Sequence, residues 1–156
     1  MKRPDFSYTI YIRATQEEVW RAFLEPEFTR QYWVHENRSD WNVGSKWAHV
    51  RTDEQETIDI VGEVLESEPF SRLVLSWSRP GDEDNPQRTS RVTVTFADQD
   101  WPGGPWTVAT LEHTDFQGDE EMQNGVSGGW PMILSGMKTL LEAGLRENWV
   151  LPEECK

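Results

Sequence analysis

Hydrophobic residues recur at steps of three and four toward the C-terminal end of the chain, forming its strongest helical pattern. The positions are Trp130, Ile133, Leu134, Met137, Leu140, Leu141 and Leu145. This spacing places them along one side of an α-helix, which must then be buried. Gly128 and Gly129 precede the stripe, and Pro131 has the φ angle of a first helical turn. The sequence therefore predicts a long C-terminal helix that starts, or kinks, at Trp130.

Residues 42 to 114 show a different pattern, in which polar and apolar side chains alternate. Such alternation is typical of strands with one buried face. It predicts strands at about residues 45–51, 57–66, 72–78, 90–97 and 106–114. The segments between them are polar or turn-forming and show no helical pattern, so neighbouring strands should be antiparallel.

The N-terminal part adds one strand and two helices. Residues 6–12 alternate and are rich in aromatic and β-branched side chains, which favours a strand. Thr15 and Glu18 have the spacing of a capping box that opens a helix, Pro26 suits the start of a second helix, and residues 36–40 are polar and predict a loop. The predicted order is β-α-α-β-β-β-β-β-α, an α+β fold in which the last helix covers a six-stranded antiparallel sheet.

Alternation also assigns the faces of this sheet. Leu73, Leu75 and Trp77 share one side of their strand, while Ser76 and Ser78 take the other. The same rule groups Val92 with Val94 and Phe96, Trp47 with His49, and Ala109 with Leu111 and His113. If all of these groups face inward, two histidines and two tryptophans join the apolar face.

Charge and composition limit the partners. The formal net charge of −13 repels phosphate backbones and anionic lipid, so we expect no nucleic acid and no membrane insertion. No apolar run approaches the roughly 20 residues that span a bilayer, and residues 1–5 lack the apolar segment of a secretion signal. We expect one cytoplasmic domain over residues 1–156, with its core at about 6–145 and a tail at 146–156.

Patterns that would indicate reaction chemistry are weak. His35, His49 and His113 lack the spacing of a metal site, and Cys155 is the single cysteine, so we predict no metal, no cofactor and no internal disulfide. Ser127 precedes the predicted helix and so does not form a nucleophile elbow, and the glycines around it are interpreted as a flexible joint. The carboxylates on predicted strands, Asp59, Glu63 and Glu112, are expected to be mostly solvated. No catalytic residue is predicted.

Several short motifs in order resemble one known family. They are residues 12–23, Val43-Gly44-Ser45-Lys46-Trp47, residues 62–69, Leu73-Val74-Leu75-Ser76-Trp77, Leu111-Glu112-His113-Thr114 and Gly128-Gly129-Trp130-Pro131. The chain resembles the START-like superfamily, and within it the group related to the activator of the heat-shock protein 90 ATPase. The resemblance implies a helix-grip fold, a curved sheet around the C-terminal helix with a hydrophobic cavity between them. Members bind lipids, polyketide-like or other apolar molecules, a minority are cyclases or hydrolases, and some are stress-related.

The candidate site combines this expectation with nine tryptophans, which suit either extra core bulk or an aromatic cavity wall. The predicted ligand-binding residues are Trp33, Trp47, His49, Trp77, His113, Trp130, Leu134 and Met137. His49, His113 and Tyr32 are the candidates for orienting polar ends of a ligand, although both histidines also suit a purely structural role. The leading hypothesis is binding of a hydrophobic or aromatic small molecule. A cyclase or hydrolase that uses a cavity histidine, and a co-chaperone-like module with a chaperone or homodimer contact, stay open as alternatives.

Overall fold

Seven antiparallel strands form one sheet in the computed structural model, which describes residues 5–144. The elements are β1 (Phe6–Ile12), α1 (Gln16–Leu24), α2 (Pro26–Tyr32), β2 (His35–Arg38), β3 (Lys46–Arg51), β4 (Ile58–Glu68), β5 (Arg72–Ser78), a short 3-10 turn (Pro86–Arg88), β6 (Thr89–Gln99), β7 (Trp106–Thr114) and α3 (Glu120–Gly144). The strand order across the sheet is β1-β7-β6-β5-β4-β3-β2. The predicted α+β helix-grip architecture is therefore confirmed.

The strand count differs from the predicted six because residues 36–38 of the predicted polar loop belong to a further strand, β2. This strand pairs antiparallel with β3 at the edge of the sheet, with Asn37 opposite His49. Its polar side chains are held by partners that the alternation rule does not reveal: Arg38 donates to the Glu36 carboxylate at 3.0 Å, and Arg30 of α2 lies 3.3 Å from the same group. Because the side chains of this edge strand are polar or charged, the strand lacks the apolar alternation from which the other strands were predicted.

The last helix begins ten residues earlier than predicted, at Glu120 rather than Trp130. Its first turn is capped by Asp119, whose carboxylate accepts a hydrogen bond from the Met122 N–H at 3.2 Å. The glycines that we interpreted as a flexible joint lie inside α3, which continues through Pro131. The error arose because glycine and proline oppose helix formation locally, whereas burial of the apolar stripe against the sheet outweighs that preference. Leu145, Cys155 and the predicted tail lie outside the described residues.

Burial confirms the face assignment from alternation. The side chains of Trp47, His49, Trp77, Leu111 and His113 are all at most 6% exposed. Leu134 and Met137 on α3 are fully buried within the same core cluster. None of the helices between residues 5 and 144 has the length and apolar character needed to cross a bilayer.

Gly62 on β4 lies next to a hydrogen bond that connects the two neighbouring strands, β3 and β5. The Trp47 indole crosses this position to donate from Nε1 to the Ser76 carbonyl oxygen at 2.9 Å. A Cβ atom at Gly62 would overlap both the Ser76 carbonyl and the Trp47 Nε1 atom. The absence of a side chain at Gly62 is therefore what allows the indole to reach the neighbouring strand.

Substituting alanine at Gly62 should lower the free energy of unfolding by about 3 kcal/mol, because the new methyl group displaces either the indole or the strand backbone. Urea unfolding followed by circular dichroism measures this loss. Gly128→Ala is the matched control, since a Cβ there meets no atom within 4 Å. Equal stability of Gly62→Ala and the wild-type protein would contradict the close approach.

Candidate functional site: a cleft between the sheet and α3

A cleft of about 150 Å³ lies between the inner face of the sheet and the first half of α3. Its lining residues come from the end of α2, from β3 and β5, and from α3: Trp33, His49, Trp77, Gly125, Val126, Gly129, Trp130 and Ile133. A Cβ atom built on Gly125 or Gly129 would meet nothing within 4 Å. The helix glycines therefore leave open space that ordinary side chains would occupy.

Three indole rings line the cleft. The Trp130 ring centroid lies 5.3 Å from that of Trp77 and 5.5 Å from that of Trp33. Two of their N–H groups are satisfied within the protein, because Trp77 Nε1 donates to the Met122 sulfur at 3.3 Å and Trp130 Nε1 donates to His113 Nδ1 at 3.0 Å. These two rings thus present apolar surface to the cleft.

His113 lies behind the cleft and fixes the orientation of Trp130. Since an indole N–H can only donate, Nδ1 of His113 accepts and its proton is on Nε2. Nε2 then donates to the Ser90 hydroxyl at 2.7 Å, and Ser90 donates to the Trp77 carbonyl oxygen at 3.3 Å. The ring is fully buried, and this burial lowers its pKa to about 3. His113 is therefore a neutral ring with both nitrogens engaged.

His49 is held in the opposite tautomer. Its Nδ1 donates to the Asn37 amide oxygen at 2.6 Å, and Asn37 Nδ2 donates to the Phe23 carbonyl oxygen at 3.2 Å. Burial, reinforced by the charge of neighbouring His35, lowers the pKa of His49 to about 3, so Nε2 is an unprotonated acceptor. Nε2 forms no hydrogen bond within residues 5–144 and is not among their fully buried unpaired atoms. The His49 side chain is one of those that line the cleft.

The imidazole ring of His35 packs against that of His49. The rings of His35 and His49 stack with centroids 3.9 Å apart and an interplanar angle of 2°. Nδ1 and Nε2 of His35 each lie 2.8 Å from an oxygen acceptor, the Trp33 carbonyl and the Asp59 carboxylate respectively. The Arg51 guanidinium, 2.7 Å away, holds the pKa of Asp59 below its usual value.

An irregularity in the sheet brings Asp59 to this position. The β3–β4 register shifts between His49 and Val50, which pair with Ile60 and Ile58, so Asp59 has no partner opposite it. A bulge of this kind bends the strand and redirects a side chain. Here the redirected carboxylate reaches both His35 and Arg51, rather than being mostly solvated as predicted.

The backbone is strained between two residues of the site. Val34 has φ of 57°, in the left-handed region that a β-branched residue rarely adopts. It separates Trp33, which lines the cleft, from His35, which stacks on His49. Strain of this kind persists only where surrounding contacts enforce it, and here the Val34 carbonyl accepts a bond from the Thr52 N–H at 3.2 Å.

Comparison with known families assigns this architecture. Residues 13–142 match the family described as activator of Hsp90 ATPase homolog 1-like protein. The chain belongs to this family. The matched range runs from α1 to nearly the end of α3 and includes every residue that lines the cleft. A search of curated proteins gave no match.

Solved structures from three bacteria support the shared fold of the family. CalU16 from Micromonospora echinospora is 24% identical, with a TM-score of 0.68 over 88% of this chain and 73% of its own. A protein from Cytophaga hutchinsonii is 25% identical, with a TM-score of 0.70 over 93% and 99%. The Aha1 dimer from Colwellia psychrerythraea is 15% identical, with a TM-score of 0.70 over 91% and 98%.

In this family member the eight predicted site residues divide into two groups of four. Trp33, His49, Trp77 and Trp130 line the cleft together. Trp47, His113, Leu134 and Met137 lie in the core around it. Tyr32 lies beside α3, and its hydroxyl donates to the Ala22 carbonyl oxygen at 2.7 Å, while burial raises its pKa.

Sequence reasoning missed half of the cleft wall, one hydrogen-bond partner of each inner histidine, and the His35–Asp59 pair beside His49. The missed residues are Gly125, Val126, Gly129, Ile133, Asn37, His35, Asp59 and Ser90. The glycines and Ile133 were noted in the sequence, but the glycines were predicted to form a flexible joint before the helix and not to be part of it. Asn37 carried no usable signal, because it lay in a predicted loop.

Two other depressions have different linings. One of about 350 Å³ is lined, among residues 5–144, by Tyr11, Gln99, Trp101 and Trp106, none of which is a histidine or an acidic residue. Another, of about 450 Å³, is more polar and includes Arg38, Lys46, Glu83 and Asp84. Within residues 5–144, no group of three or more histidine, cysteine or acidic side chains is placed to hold a metal ion. Of these three depressions, as lined by residues 5–144, the smaller cleft combines apolar walls with a histidine.

Proposed function

We propose that the protein binds a small hydrophobic or aromatic molecule in the cleft between the sheet and α3. The observation that carries this proposal is an aromatic cleft whose lining includes His49, a residue whose Nε2 acceptor has no hydrogen-bond partner within residues 5–144. Apolar walls with a few placed polar groups are typical of small-molecule sites. The helix-grip fold, in which relatives bind apolar molecules between sheet and helix, supports the same location.

The size of the cleft narrows the ligand class. Its volume of about 150 Å³ is below the roughly 300–1,000 Å³ of sites for drug-sized molecules. Two of the cleft tryptophans, Trp77 and Trp130, and the neighbouring Trp47 pack as core, each at most 6% exposed. A lipid chain or a polyketide exceeds this volume, so the proposal is for a compact ligand.

The protonation state of His49 favours binding over acid-base catalysis. A general base is most effective when its pKa lies near the working pH. The pKa of His49 is lowered to about 3, so its Nε2 accepts hydrogen bonds but holds a transferred proton poorly. The cyclase or hydrolase alternative would need another group in this role. A single-domain organisation, a cytoplasmic location and a chaperone or homodimer contact stay predictions.

Filling the cleft from the helix side tests the proposal. Gly129→Ala should weaken binding of one-ring aromatic probes such as toluene and phenol about tenfold or more, because its methyl group enters the cleft and takes ligand volume. Binding is followed by tryptophan fluorescence, since three indoles line the cleft.

The matched control is Gly128→Ala, one residue away on the same helix. A Cβ there also meets nothing within 4 Å, but Gly128 does not line the cleft. Each substitution should raise the free energy of unfolding by about 0.5–1 kcal/mol through helix propensity, so stability is matched while cleft volume differs. Absence of binding by the wild-type protein across one-ring and two-ring aromatics would remove the proposed function, and equal weakening by both variants would place the ligand elsewhere.

A further inference from the structure

The volume of the cleft corresponds to one aromatic ring. A cavity of about 150 Å³ lined by apolar side chains is sufficient to bind benzene. The walls here are indole rings and the aliphatic side chains of Val126 and Ile133, which suit the faces and edges of a flat ring. A single ring therefore fills the space without displacing the buried Trp77 or Trp130.

The polar groups of the cleft lining differ in whether they are already paired within the protein. Two of the three indole N–H groups are used inside the protein, by Met122 and by His113. Nε2 of His49 is a nitrogen acceptor without a partner within residues 5–144, on a ring that is 95% buried, being 5% exposed. An acceptor in such a position is satisfied by a ligand that donates a hydrogen bond.

The tautomer of His49 is fixed by two successive bonds. The Phe23 carbonyl can only accept, so the Asn37 amide turns its NH₂ group toward Phe23 and its oxygen toward His49. His49 must then donate from Nδ1 and present the bare Nε2. Rotation of the imidazole is further restricted by the parallel stack on His35 at 3.9 Å.

We propose that the ligand is a one-ring aromatic compound carrying an O–H or N–H group, which donates to Nε2 of His49 while the ring lies among Trp33, Trp77 and Trp130. Phenols and anilines are the simplest members of this class. Asn37 is a positioning residue that holds the acceptor in the correct tautomer. This assignment rests on the proposed function and specifies its ligand chemistry.

Phenol and toluene provide the first test, because they have nearly the same shape and differ in the donor. An entirely apolar cleft would prefer toluene, since burying an unbonded hydroxyl is unfavourable. We expect the wild-type protein to bind phenol several-fold more tightly than toluene in fluorescence titrations. Toluene binding as tightly as phenol or more tightly would overturn the assignment, while the proposed function would stand. If neither probe nor any larger aromatic bound, the function and the assignment would both fail.

Removing the acceptor should reverse this preference. His49→Phe keeps an aromatic ring against His35 but has no ring nitrogen, so the phenol hydroxyl would enter the cleft unbonded. We expect the variant to bind toluene about tenfold more tightly than phenol. A persistent preference for phenol in a folded His49→Phe protein would show that another group receives the hydroxyl.

A measurement on the wild-type protein covers the case in which the variant fails to fold. The ¹⁵N resonance of His49 Nε2 should have the position of an unprotonated nitrogen, and phenol should shift it upfield by hydrogen bonding. Toluene should leave it nearly unchanged, and so should phenol added to Gly129→Ala at the same concentration. A phenol-independent Nε2 resonance under saturating phenol would overturn the assignment.

Discussion

Replacing Trp130 by alanine is expected to lower the free energy of unfolding by about 3–5 kcal/mol, because a large and almost fully buried ring is lost from the core. The side chain is 3% exposed and its ring stacks on Phe23 at 6.4 Å between centroids. Truncation removes these contacts and leaves Nδ1 of buried His113 without its donor. Urea or guanidinium unfolding at neutral pH measures the loss.

Two further tryptophan variants separate the causes. Trp101→Ala is the matched control, because that side chain is 67% exposed and its removal should change stability by less than about 0.5 kcal/mol. Trp130→Phe keeps most of the ring but removes the N–H, and should cost about 1–3 kcal/mol through the unpaired His113 nitrogen. A loss below about 1 kcal/mol for Trp130→Ala would mean that the ring faces an open, wet cavity and contributes little to the core.

The central sheet could be predicted from the sequence because its faces differ in polarity. Leu111 and His113 on β7 are fully buried, as period-two alternation requires. The Thr15 capping box is present, with the Glu18 N–H donating to the Thr15 hydroxyl at 3.1 Å. Alternation along a strand and a capping box both depend on residues that are close in the sequence, so they can be recognised in a single sequence.

Prediction from sequence patterns was wrong where contacts between distant parts of the chain decide the conformation. The first ten residues of α3 contain three glycines and are helical because the element as a whole packs on the sheet. β2 owes its place at the edge to pairing with β3, and the Asn37 amide oxygen binds His49 of that strand. Neither property can be read from a segment by itself.

The roles of the two inner histidines could not be predicted from the sequence for the same reason. Alternation placed both His49 and His113 on the buried face, and burial lowers the pKa of each to about 3. Their roles differ because His113 has protein partners on both nitrogens, whereas His49 has one on Nδ1. That difference depends on Ser90, Trp130 and Asn37, which lie 12 to 23 positions away in the sequence.

Acidification from pH 7 to pH 5 is expected to destabilise the protein by about 2 kcal/mol for each of His49 and His113. Both are neutral when folded, with pKa lowered to about 3 by burial, whereas an exposed histidine titrates near 6.5. The unfolded chain therefore binds more protons between these values. The stabilising contribution is complete above about pH 6.5 and is lost as the pH falls toward 3. Urea unfolding at a series of pH values measures it.

A histidine variant isolates this contribution from the rest of the titration. The net charge of −13 becomes less negative on acidification and relieves repulsion, but it does so equally in the wild-type protein and in His113→Gln. Glutamine can accept from Trp130 and donate to Ser90 without titrating. The loss of stability between pH 7 and 5 should therefore be about 2 kcal/mol smaller in His113→Gln than in the wild-type protein. Parallel stability curves for the two proteins would mean that His113 titrates alike in the folded and unfolded chains, and would contradict its neutral, doubly bonded state.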